Sequence, residues 1–161
     1  GAKLTRACVT RTVNGTGQWR RWYTCGLCKQ QYHGAVWCAL GWACWKTYFI
    51  AANNYASSLL DLKRFEEAKS LLRTVLPVAR RVLGESNEIT LKMRWIYATA
   101  LYNDPDATLD DLREAITTLE DTERTARRVL GGAHPLAEGM EAGLQEARAA
   151  LRAREATPPS A

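Results

Sequence analysis

The chain has 161 residues, 47% hydrophobic and 24% charged, an ordinary composition for a soluble globular domain with a real core. Composition excludes little; the distribution of charge behind the net +5 says more. Residues 1–46 carry seven cations (Lys3, Arg6, Arg11, Arg20, Arg21, Lys29, Lys46) and no acid, whereas residues 47–161 carry 15 cations and 17 acids, so two segments of different character are joined.

Residues 1–34 read as a basic, irregular segment rich in cysteine and tryptophan. All five cysteines and five of the six tryptophans lie in the first 45 residues. No charged n-region and apolar h-region precede them, and the cysteine count is odd, which argues against a secreted disulfide framework and for reduced thiols in a cytoplasmic setting. Gly1 at the start leaves open a processed N-terminus or a piece of a longer chain. Cys25, Cys28, His33 and Cys38 follow the spacing C-x2-C-x4-H-x4-C, that of a zinc knuckle, with thiolate and imidazole ligands suited to tetrahedral zinc. A second zinc reading takes Cys25 and Cys28 as the end of a partial RING-like or treble-clef finger with Cys8 as a remnant. The metal-free reading makes Cys38 and Cys44 small apolar residues of a helix and places Cys25 and Cys28 in a turn. Trp19, Arg20, Arg21, Trp22 and Tyr23 interleave cations with aromatics as single-strand nucleic-acid binders do, although such a patch is as readily a solvated face, and nucleic acid is the weakest partner reading.

From residue 35 the chain reads as helices with short connections, to about residue 155, followed by a flexible tail, 156–161. Residues 36–48 form an apolar helix that runs without a turn signal into a first repeat helix bearing Tyr48, Ala52, Tyr55, Ala56, Leu59 and Leu60. That helix stops near Asp61-Leu62-Lys63-Arg64. The polar interruptions His33, Lys46, Asn53, Asn54, Ser57 and Ser58 argue against a membrane span. The second helix, Phe65 to Leu83, keeps one apolar stripe on both sides of Pro77, which predicts a kink, and Gly84 ends it. A third helix is capped by Ser86 or Asn87. A fourth starts at Thr108 with Asp111 three positions on and ends at Gly131-Gly132. A fifth starts at His134-Pro135.

Two stretches of this region repeat. Ala79-Arg80-Arg81-Val82-Leu83-Gly84 recurs letter for letter at Ala126-Arg127-Arg128-Val129-Leu130-Gly131, 47 residues later. Tyr55, Ala56 and Leu59 recur as Tyr97, Ala98 and Leu101 at an offset of 42. The five-residue difference is an insertion at Asn103-Asp104-Pro105-Asp106. A period of 42 to 47 with helix pairs predicts an all-α fold, a short α-solenoid of antiparallel helix pairs.

Asn53-Asn54-Tyr55-Ala56 with Leu59, then Arg64-Phe65-Glu66-Glu67-Ala68, Leu71-Leu72, Val75 and the hexapeptide, resembles a tetratricopeptide repeat of the long kinesin-light-chain type. The resemblance covers roughly residues 47–155. It places the family's small crossing residues at Ala56 and Ala68 and its large packing residue at Leu72, and His134-Pro135 matches the start of a new unit. The insertion departs from the pattern, as does the number of units, two plus a closing helix where about three are usual. An end apolar at Tyr55, Leu59 and Leu72 is therefore expected to need a cover, for which the sequence offers Trp37, Leu40, Trp42 and Trp45.

Nothing here assembles a catalytic constellation. His134 is accounted for by its helix start, His33 has no nearby acid, and glycine-rich phosphate loops and nucleophile elbows are missing. Asn53, Asn54, Ser57 and Asp61 line the first repeat helix opposite its core face, and Trp95, Thr99 and Tyr102 are their counterparts in the second unit. The resemblance implies that these faces line a concave groove in which asparagines hold an extended peptide. An Asn amide both donates to and accepts from a peptide unit, which suits tolerant binding. The expectation is a non-enzymatic module that binds a protein or peptide, with no cofactor. A zinc-binding adaptor is the alternative, and oligomeric state is open.

Overall fold

The computed structural model describes residues 30, 31 and 34–156, and within them the fold is all-α. Five helices follow in order: α1 (Gly34–Asp61), α2 (Phe65–Leu83), α3 (Glu88–Asn103), α4 (Leu109–Leu130) and α5 (Pro135–Ala156). The chain divides into two units, Gly1–Thr47 and Tyr48–Ala161, and the division falls inside α1. Among the described residues no helix is long and apolar enough to cross a membrane.

Local chemistry sets each boundary of the second unit. Lys63 takes a left-handed φ of 57° and turns the chain after α1, while its N–H donates to the Leu60 carbonyl at 2.9 Å and that of Arg64 to Leu59 at 2.8 Å. Asn87, rather than Ser86, caps α3 by accepting from the Ile89 N–H at 2.9 Å. Thr108 and Asp111 complete a reciprocal capping box at α4. His134 caps α5, its Nδ1 accepting from the Leu136 N–H at 3.2 Å, and Pro135 occupies the first helical position, where a missing N–H costs nothing. Pro77 lies inside α2, which continues through it as one helix.

The doubled hexapeptide folds twice into one device. Gly84 and Gly131 have φ of 93° and 95°, and each donates its N–H to the carbonyl four residues back, Arg80 and Arg127, at 3.1 Å. Ala79 and Ala126, which open the two copies, are fully buried. The repeat thus specifies a buried small residue, a cationic last turn and a glycine stop.

Helix α3 is the hub. It packs on α2, α4 and α5, and α4 packs on α5. Facing three neighbours, α3 buries residues around its circumference, from Leu91 and Met93 to Ala98 and Leu101, whereas α4 buries only one stripe. Phe49, Ala52 and Ala56 of α1 join Leu72, Val75, Tyr97, Leu119 and Leu144 in the main core cluster. Leu59 is covered by Ala68 and Ala100. Leu59 and Leu72 therefore point into the core, and of the three positions expected at an apolar end only Tyr55 is exposed, at 53%. Trp42 and Trp45 are exposed at 49% and 44%.

An ideal Cβ at Gly84 or Gly131 meets no atom within 4 Å, so replacing either by alanine tests the backbone alone. Gly84→Ala and Gly131→Ala should each lower unfolding free energy by about 2 kcal/mol, the cost of putting a residue with a Cβ into a positive-φ, extended-ψ region that essentially only glycine occupies. Equal losses in urea titration are expected, and a loss at one site alone would show that the two copies are not equivalent.

Candidate functional site

On α1, Asn53 is half-buried and its Nδ2 donates to the Asn54 Oδ1 at 3.4 Å. Its own Oδ1 is buried and, among the described residues, has no hydrogen-bond partner. A buried unsatisfied acceptor costs roughly 1–3 kcal/mol and asks for a donor. Of the four polar positions predicted on this helix, Asn54 and Asp61 are exposed, whereas Asn53 and Ser57 are half-buried.

The counterparts on α3 have a second occupation. Trp95 lies against α5 so closely that a Cβ at Gly139 would sit 2.7 Å from the ring, and one at Gly143 3.2 Å from the indole nitrogen. Glycine is required at Gly139 by this approach and not by its backbone. Tyr102 donates its hydroxyl to Glu146 of α5 at 3.0 Å. Burial pushes the Tyr102 phenol up to about 12; the Thr99 hydroxyl pulls the other way, and the Glu146 carboxylate adds to the rise. Thr99 itself donates to the Trp95 carbonyl at 2.9 Å. Trp95 and Tyr102 thus seat α5.

Asp61 and Thr99 are brought together as lining of one cavity of about 840 Å³. Its other walls are the α1–α2 turn, the first turn of α2 and residues 103–106, so the insertion that broke the repeat forms one side. Asn53, Asn54, Ser57, Trp95 and Tyr102 lie outside that lining.

The insertion is held in place by charge. Lys69, with only 4% of its side chain exposed, donates to Asp104 Oδ2 at 2.7 Å and also pairs with Glu66. Asp104 Oδ1 accepts from the Asp106 N–H at 3.0 Å, and Arg154 of α5 donates to the Pro105 carbonyl at 2.9 Å. Two further polar links cross the hub. Arg94, almost fully buried, donates to Asp121 at 2.5 Å, and Tyr97 donates to Glu114 at 2.8 Å while accepting from Arg73 at 3.1 Å. Sequence reasoning missed these pairs. The one available signal was an aspartate inside an insertion and a lysine adjoining the apolar stripe of α2.

Cys25, Cys28 and His33 of the predicted zinc set lie outside the described residues. Cys38 is exposed on α1 and in no disulfide. Among the described residues no group of three or more His, Cys, Asp or Glu could hold a metal ion. No protein-family model, curated protein or solved structure matches the chain.

The carboxylates in these links set a pH dependence. Burial pushes Asp104 up, but the hydrogen bonds from Lys69 and the Asp106 N–H, with the charge of Lys69, outweigh it and hold the group below the usual range. Asp111 is lowered by the hydroxyl and N–H of Thr108, and Asp121 by Arg94. A carboxyl whose folded pKa lies below its unfolded value contributes stability above the unfolded value, about 4, and loses it as pH falls through the folded one. Melting temperature should therefore be nearly flat above about pH 5 and fall below about pH 4. Asp104→Asn should cost roughly 2 kcal/mol at pH 7, since it leaves Lys69 with Glu66 as its only carboxylate, and should flatten the acid slope; an unchanged slope would remove Asp104 from the account.

Proposed function

We propose that this protein is a non-enzymatic interaction module in which α1/α2 and α3/α4 form two antiparallel tetratricopeptide-like units, α5 closes the second, and the exposed polar face of α1 binds an extended peptide. The observation that carries the reading is the polar face of α1, where Asn54 and Asp61 are exposed and Asn53 and Ser57 half-buried, so that the Asn54 carboxamide can reach the backbone of a peptide laid along the helix. Supporting the repeat assignment are the fully buried Ala56 and Ala68, where small residues allow helices to cross, the buried Leu72, and the matched glycine stops. The setting proposed is the cytoplasm.

The partner is a protein segment rather than a small substrate. Side-chain amides and a hydroxyl along one helix face recognise backbone, which every peptide carries. Screening a displayed random-peptide library against the whole chain tests the reading. Selected peptides should bind the Asn53→Ala, Asn54→Ala double variant about tenfold more weakly, as expected for two hydrogen bonds of roughly 1 kcal/mol each with imperfect additivity. Equal binding by the double variant, with its helicity unchanged, would overturn the site.

A further inference from the structure

The insertion that interrupts the repeat builds the wall of a cavity, and the charges around that cavity do not balance. Of the acids in the lining, Glu67 is engaged by Arg64 through two hydrogen bonds of 2.6 Å, and Glu66 and Asp104 both engage the buried Lys69. Asp61 and Asp106 are exposed, and neither has an ion pair among the described residues. Lys63 is the one cation of the lining with no acid on it. Counting Lys69 and Arg154, which hold the wall from outside the lining, five acids face four cations.

Helix ends add to the excess. The C-termini of α1 and α3, at Asp61 and Asn103, both abut the cavity, and neither helix has a basic residue in its last turn. Helices α2 and α4 contrast with them, each carrying an arginine pair in the last turn. Turn N–H groups take the Ser58, Leu59 and Leu60 carbonyls of α1, so it is chiefly the C-terminus of α3 that adds partial negative charge here. The positive N-terminus of α2 also reaches the cavity, but Glu66 and Glu67 in its first turn oppose it. Below the charged rim, Leu60, Phe65 and Pro105 supply apolar surface.

We infer that this cavity takes a lysine or arginine side chain of the bound peptide, its aliphatic stem on Leu60, Phe65 and Pro105 and its cationic head between Asp61 and Asp106. Long cationic side chains divide in this way, stem on apolar surface and head among carboxylates. The volume, about 840 Å³, falls within the range of ligand pockets and leaves room for adjoining backbone. Residues 103–106 do not have to be ordered on binding, because Lys69 and Arg154 already hold them. The inference rests on the peptide-binding reading and names the chemistry that one end of the groove selects.

The test uses the whole isotopically labelled chain and four probes: the N-acetyl N-methylamides of lysine, arginine, norleucine and glutamate. Lysine and arginine probes should shift the amide resonances of Asp61, Thr99 and Asp106 saturably and bind several-fold more tightly than norleucine. The preference should shrink in 0.5 M salt as the charges are screened. Asp61→Asn with Asp106→Asn should weaken lysine binding roughly fivefold, the sum of two exposed ion pairs, without changing the melting temperature. No shift, equal binding of norleucine, tighter binding of glutamate through Lys63 and Arg64, or an unaffected double variant would each overturn the inference. Library peptides that depend on Asn53 and Asn54 but show no lysine or arginine preference would sink this inference and leave the groove standing. Probe binding at the cavity without any selected peptide would do the reverse.

Discussion

A helix can share a core with three others only if side chains at the crossings are short enough for the backbones to approach. Here that constraint is met by alanine and glycine. Ala56, Ala68, Ala79, Ala98, Ala115, Ala126 and Ala147 are all fully buried, and Gly139 gives the Trp95 ring a place to lie. Interior packing is dense enough that even one added methyl group at such a contact must displace something. The leucines and methionines between the crossings, such as Leu72, Met93, Leu101 and Leu119, then fill the space the small residues define. Alanine also favours the helix itself, so local and tertiary preferences agree at these positions.

Polar groups fix what packing leaves free. Apolar contact is tolerant of sliding, whereas Lys69 with Asp104, Arg94 with Asp121 and Tyr97 between Arg73 and Glu114 each admit one geometry. All three tie neighbouring elements around α3. Such pairs are weak sources of stability when desolvation is counted, and their contribution here is register. The Lys69 pair anchors residues 103–106 as one wall of the cavity.

The proposed binding surface and the closing helix share α3. Trp95 packs at Gly139 and Gly143 of α5 and Tyr102 donates to Glu146, so under the proposed reading the α3 face has less free surface to offer a peptide than the α1 face.

Much of the fold was legible because its signals are local. Gly84 and Gly131, the Thr108–Asp111 box, the His134-Pro135 start and the 3.6-residue apolar stripes depend on neighbours within one turn, so the sequence by itself determined all five helices and both copies of the stop. The polar face of Asn53, Asn54, Ser57 and Asp61 was legible for the same reason. Choosing Asn87 over Ser86 needed the cap geometry, and the direction of Leu59 and Leu72 needed their partners, Ala68, Ala100 and the main cluster. Pairings between residues 27 to 44 apart, Lys69 with Asp104, Arg94 with Asp121 and Tyr102 with Glu146, carry no periodic trace. Only the tertiary structure decided them, because a charge or a hydroxyl becomes a partner through distance in space, which the spacing along one helix does not encode.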